Sequence, residues 1–322
     1  GPSPLPAPEQ PVAAITEWPS YGGDPGGQRH VALDLITPEN VGALRPAWTY
    51  RHGDAEGRVD TPSEIAFENT PILADGTLYL CTPTNRVIAL DPVTGTERWS
   101  HDPRIDLSGR YANQLVCRGV AHWRDPGAAD DDACASTIFT ATNDARLVAL
   151  DARTGMPCPA FGSAGELSLG RGVGETAWQG EYQVTSPPAV VADLVVVGSA
   201  VSDNSRVDAP SGVVRAFDAR TGALQWAWDL APPGFDYASE PVSDAGYALG
   251  TPNVWAPMAV DSERRLLFVP TGNAAPDYYT GDRGFMDHFG SAVVALHAET
   301  GEIAWRFQTV HNDLWDFDVP AQ

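Results

Sequence analysis

One thirteen-residue pattern recurs along the chain and dictates what it can fold into. Val87-Ile-Ala-Leu-Asp-Pro-Val-Thr-Gly-Thr-Glu-Arg-Trp99 aligns with Val214-Arg-Ala-Phe-Asp-Ala-Arg-Thr-Gly-Ala-Leu-Gln-Trp226 and with Val293-Val-Ala-Leu-His-Ala-Glu-Thr-Gly-Glu-Ile-Ala-Trp305. A fourth copy, Leu147 to Met156, lacks the tryptophan. The shared glycine falls at Gly95, Gly155, Gly222 and Gly301, at intervals of 60, 67 and 79 residues. Each copy reads as a hairpin: an apolar strand ends at or near Asp, Thr-Gly turns the chain, and a second strand runs on to Trp. A further strand pair lies upstream of each, as in 70–73 with 77–81, 187–191 with 194–199 and 257–260 with 265–270.

Four strands per unit, repeated, define a β-propeller blade, because each sheet exposes two apolar faces that only neighbouring sheets can cover. The expectation is an all-β chain of four-stranded antiparallel blades, with Trp99, Trp226 and Trp305 docked as flat spacers on adjacent blades. Composition agrees. The chain has 31 Gly, 28 Pro and 10 Trp, which suits many short elements joined by turns and nearly excludes a helical bundle. Against 42 Asp and Glu stand 20 Lys and Arg, a formal charge of −22, so nucleic acid and anionic lipid are poor partners. No apolar run reaches the ~18 residues of a membrane span. Residues 1–16 read as a Pro/Ala-rich linker ahead of a propeller domain over 17–322. The four cysteines, Cys81, Cys117, Cys134 and Cys158, show no zinc spacing; they are either buried thiols or one or two disulfides, with three possible connectivities.

Loops at one end of a propeller converge on its axis, so chemistry belongs between the repeats. Those segments include Glu68-Asn-Thr-Pro71, Cys117-Arg-Gly119, Thr185-Ser-Pro-Pro188, Ser202-Asp-Asn204, Asn253-Val-Trp-Ala-Pro257, Thr271-Gly-Asn-Ala-Ala-Pro276 and His311-Asn-Asp-Leu-Trp-Asp-Phe-Asp318. Together with Trp18-Pro-Ser-Tyr-Gly-Gly-Asp24, this ordered set resembles the quinoprotein dehydrogenases that use pyrroloquinoline quinone (PQQ), most closely their glucose/quinate/shikimate branch.

The resemblance implies an eight-bladed propeller with PQQ on its axis and calcium against the quinone. By matching position, Glu68, Arg118 and Thr185 would bond PQQ, and an arginine can grip a carboxylate with two parallel bonds. Trp255 would be the platform on which the flat cofactor lies. Asn273 and Asp203, with Asn204 beside them, would ligate calcium, a hard cation suited by oxygen donors. Asp313 matches the catalytic carboxylate, which takes the substrate hydroxyl proton as hydride passes to the quinone. His311, Asp316 and Asp318 are nearby alternatives; in an extended strand Asp313 and Asp316 would face opposite ways.

The implied activity is oxidation of a sugar, cyclic polyol or alcohol hydroxyl. Electrons would pass to membrane ubiquinone, from a periplasmic protein anchored to the inner membrane. The repeat intervals allow about four blades and the start of a fifth, whereas eight would need about 500 residues. That predicts an open arc with uncovered sheet faces, prone to association and poor at retaining PQQ. The contrasting reading is a non-catalytic envelope propeller that scaffolds other proteins. Glu68, Arg118, Asn273 and Asp313 separate the two, since a scaffold has no need of such groups on its axis.

Overall fold

A computed structural model describes residues 17–54 and 60–320; the predicted linker over 1–16 lies outside them. Four sheets of four antiparallel strands follow one another in chain order. The first comprises β1 (Ile72–Ala74), β2 (Thr77–Cys81), β3 (Val87–Leu90) and β4 (Glu97–His101). The second comprises β5 (Ala121–Arg124), β6 (Ser136–Ala141), β7 (Arg146–Asp151) and β8 (Glu166–Ser168). A short ribbon pairs β9 (Tyr182–Gln183) with β12 (Ala200–Val201) beside the third sheet, which holds β10 (Ala189–Val191), β11 (Leu194–Val197), β13 (Val214–Asp218) and β14 (Leu224–Trp228). The fourth holds β15 (Ala259–Asp261), β16 (Leu266–Pro270), β17 (Ala292–His297) and β18 (Ile303–Gln308). The leading strand β10 neighbours both β5 and β15, as blades around a common axis require. Among the described residues β18 is the last strand; the opening strand of a fifth blade expected after it is not formed by residues 309–320.

Each joint between sheets has its own apolar core: Val87, Ala89, Ile138 and Val148 at the first, Phe139, Leu147, Val195 and Phe217 at the second, Val196, Ala216, Val269 and Val294 at the third. The repeat explains the spacing. In its turns Asp91, Asp151 and Asp218 accept backbone N–H groups two and three residues on, and Gly95, Gly155, Gly222 and Gly301 close the hairpin at positive φ between 69° and 72°. Opposite Ala89, Ala216 and Ala295 stand Trp99, Trp226 and Trp305, with a bulge just after each alanine.

The indoles then reach the next blade. Trp99 donates to the Ala152 carbonyl at 3.0 Å and Trp226 to that of Ala298 at 2.8 Å. Each ring lies so close over the next repeat's glycine that a Cβ on Gly155 or Gly301 would come within 2.5 Å of it. Trp48 docks the same way on Gly95, its Nε1 donating to Pro92 at 3.2 Å, a role the repeat does not reveal. Trp305 departs from expectation: it lies 45 % exposed, against Phe268 of its own sheet. Two disulfides form, Cys81–Cys117 and Cys134–Cys158. No helix among the described residues is long and apolar enough to cross a membrane.

Candidate active site

The loops entering successive blades are tied to each other near the axis. The Thr70 N–H donates to the Arg118 carbonyl and the Arg118 N–H to that of Thr185, both at 2.9 Å, while Ser186 Oγ donates to the Trp255 carbonyl. Sequence-distant residues are thereby brought side by side at the same level of four blades. The result is a cavity of about 420 Å³ whose wall includes Arg118, Thr185, Trp255, Asp203 and Asn204. Five of the eight residues singled out in the sequence meet there.

At one end, Arg118 Nη1 donates to Thr185 Oγ1 at 2.6 Å and its guanidinium carbon lies 5.3 Å from the Trp255 ring centre. Glu68, half-exposed, is not on the cavity wall; it pairs with Arg118 Nη2 at 3.0 Å and so orients the guanidinium from outside. This end offers a cation, a hydroxyl and an aromatic face, a set suited to a flat, acidic molecule.

The other end is acidic, and sequence reasoning saw it only in part. Asp277 and Asn253 were missed, and Asp316 and Asp318 were alternatives to Asp313; all four line the cavity. Asn253 Nδ2 donates to Asp203 Oδ2 at 2.6 Å, the Asp277 N–H donates to the Asp203 carbonyl at 3.1 Å, and Trp255 Nε1 donates to Asp318 Oδ2 at 2.7 Å. Burial, then the charges of Asp318 and Asp316, push Asp203 up to about 7. Burial and the charges of Asp203, Asp316 and Asp318 take Asp277 to about 8. Asp318 rises to about 6, chiefly through burial. Carboxylates crowded so closely repel one another unless protonated or neutralised by a cation.

Asn273 and Asp313 stand behind this wall. Asp313 is 4 % exposed, and its Oδ2 accepts Asn273 Nδ2 at 3.2 Å and the Phe317 N–H at 2.6 Å, with Ser291 Oγ 2.9 Å away. Burial raises its pKa, but the donors Trp315, Asn273, Ser291 and Phe317 outweigh that and leave it below the ordinary carboxylate value. The expected opposition of Asp313 and Asp316 rested on an extended strand; the segment is instead a turn with Asp316 at φ +59°. It is Asp316, not Asp313, that reaches the cavity.

The residues fit the cofactor and metal that the resemblance implies. Asn253 Oδ1, Asp277 Oδ1 and Asp318 Oδ1 are buried without a hydrogen-bond partner, and all three belong to cavity-lining residues. No three His, Cys, Asp or Glu side chains among the described residues are grouped tightly enough to hold an ion alone, so amide oxygens from Asn204, Asn253 or Asn273 would complete the set.

Successive blades thus place a basic and aromatic end beside a nest of carboxylates in one cavity, a set suited to a flat, acidic molecule and a cation. Residues 18–322 match the family model described as PQQ: glucose/ethanol/alcohol dehydrogenase, β-propeller domain, and the chain belongs to that family. It is 39 % identical over 321 residues to the glycerol dehydrogenase large subunit of Gluconobacter oxydans (strain 621H), covering 98 % of this chain and 42 % of that protein. It is 38 % identical over 316 residues to the quinoprotein glucose dehydrogenase of Escherichia coli (strain K12), covering 96 % and 39 %. The quinohemoprotein alcohol dehydrogenase from Comamonas testosteroni superposes with a TM-score of 0.72 at 26 % identity, over 95 % of this chain and 43 % of that one. The chain thus spans about two fifths of the length of these relatives.

Proposed function

We propose that the protein is a PQQ-dependent dehydrogenase that oxidises a sugar, cyclic polyol or alcohol CH–OH to the carbonyl, with electrons passed on to ubiquinone at the inner membrane from the periplasmic side. The observation that carries this reading is the single cavity in which Arg118, Thr185 and Trp255 face Asp203, Asp277, Asp316 and Asp318. Bound PQQ would supply the two-electron acceptor, and calcium would polarise it and stabilise developing negative charge. Arg118 and Thr185 would hold the cofactor's carboxylates, Trp255 would lie under its ring, and Asp203, Asp318 and an amide from Asn204, Asn253 or Asn273 would hold the ion. Asp318 also fixes the platform, since it accepts the indole N–H of Trp255.

The base is Asp316. It is on the wall, and with a cation drawing charge from its neighbours it is free to take the substrate's hydroxyl proton at a carboxylate oxygen. Asp313 is buried behind the wall, and its two oxygens already accept backbone and side-chain donors. The periplasmic placement is supported by two disulfides, which persist in oxidising compartments. A scaffold would have no use for three orphaned buried oxygens around one cavity.

The test is reconstitution of the full-length protein with PQQ and calcium, followed by dye-linked oxidation of glucose, quinate, glycerol and ethanol. Turnover of at least one, lost in D316N with PQQ still bound, is expected. No turnover of any of them, with PQQ bound stoichiometrically, would defeat the proposal.

A further inference from the structure

Asp313 lies three residues before the base and never reaches the cavity, yet its carboxylate takes part in four hydrogen bonds. Oδ1 accepts the N–H of Trp315 at 2.9 Å and Oδ2 that of Phe317 at 2.6 Å. The two amides that flank residue 316 therefore converge on one side chain. Between them Asp316 adopts φ +59°, the left-handed region that aspartate enters at modest cost and that ends any strand alternation.

The carboxylate is in turn anchored from behind. Asn273 Nδ2 donates to it at 3.2 Å, and the Ser291 hydroxyl lies 2.9 Å from both Asp313 Oδ2 and Asn273 Oδ1, with one proton to give. The main chain is gripped too: Arg283, whose side chain is fully buried, donates from Nη2 to the Asp313 carbonyl and keeps its Nε 3.3 Å from Asp287. Behind the turn, side chain and carbonyl of one residue are thus held by three others, Asn273, Ser291 and Arg283, all buried.

We propose that Asp313 is a positioning residue: it closes the left-handed turn that presents Asp316 to the cavity, and Arg283 holds the base of that turn. This rests on the reading of Asp316 as the base. A carboxylate is required because it accepts two amide donors at once; an asparagine turns an N–H against one of them.

In the full-length holoenzyme, D313N is expected to lower kcat about 100-fold, the loss typical of a misplaced reacting group, with KM within about twofold of wild type. The acid limb of its rate–pH profile should remain, because Asp316 still takes the proton. D316N should lose about 10²- to 10⁴-fold and the acid limb with it. R283M should shift kcat in the same direction by less. Backbone hydrogen exchange, followed without added PQQ, reads the turn itself: D313N should raise exchange across 311–320 while 292–308 stays protected.

Wild-type kcat in D313N, or unchanged exchange across 311–320, would overturn the proposal. So would a D313N profile that loses its acid limb, which would make Asp313 the base, or a rise in exchange throughout 292–308, which would make its role one of general stability. Full activity in D316N would defeat the base assignment alone and leave the exchange result to stand.

Discussion

The indole N–H of Trp255 is donated to the Asp318 carboxylate at 2.7 Å. The indole and the acidic nest are thus one hydrogen-bonded unit, so the proposed cofactor and ion sites would share a joint. W255A should weaken PQQ binding about 10-fold, the worth of one good aromatic stack, measured by fluorescence titration of the full-length protein. W255F keeps a ring but orphans Asp318; it should bind PQQ nearly as well while losing calcium affinity. Equal calcium affinity in W255F and wild type would refute the link.

Calcium binding should release protons. Asp203, Asp277 and Asp318 titrate near 7, 8 and 6, against an ordinary 3.8. In that window the metal-free native state holds protons that the unfolded chain has lost, so its stability falls as pH rises from about 4 to 8. Calcium requires the ionised forms, so its affinity should climb over the upper part of the same range and level off above it. Denaturant midpoints at about pH 5 and pH 8, with and without calcium, check both signs. A midpoint that rises with pH in chelator would contradict the prediction.

Glycine in the hairpin turns does two jobs that substitution can separate. Gly76 has φ +65° with nothing near its missing Cβ, so G76A should cost about 1–2 kcal/mol from backbone strain alone. Gly155 has φ +72° and the Trp99 ring 2.5 Å from where a Cβ would sit, so G155A adds a clash and should cost about 2–5 kcal/mol. Urea unfolding gives the comparison directly.

Reduction should act unequally on the site. The bridges span 36 and 24 residues, worth about 3–4 kcal/mol each on chain-entropy grounds. Cys117 adjoins Arg118, the cavity's cation. C81S/C117S should therefore lower both stability and PQQ affinity, and C134S/C158S stability alone. Matching PQQ affinities in the two double variants would show the first bridge to be a staple only.

Blade number, strand order and the hairpin turns were legible because the repeat encodes them locally: Asp, Thr and Gly act within a few residues of one another. The cavity's outline was legible through Arg118, Thr185, Trp255, Asp203 and Asn204. What escaped depends on contacts across the chain. Asp277 reaches the nest because its N–H binds the carbonyl of Asp203, 74 residues earlier, and nothing near Pro276 signals that. Asp316 was set behind Asp313 by positional match to the resembled family; that Asp316 is the one on the cavity wall depends on a turn that Asp313 itself makes. The cysteine pairing was open for the same reason: it is decided by which loops the blades bring together.

The second repeat has no tryptophan, and its joint to the third blade is built otherwise. The Gly162 N–H donates to the Thr221 carbonyl at 2.8 Å, and Trp123 reaches from β5 to the Ala192 carbonyl at 3.1 Å with Arg220 stacked 5.0 Å from its ring. This clasp draws on main chain and a guanidinium as well as on an indole that comes from β5 rather than from the repeat. The seams therefore yield in different ways: taking away Trp226 strips the third joint of its inter-blade indole bond, whereas taking away Trp123 leaves the Gly162–Thr221 bond still closing the second.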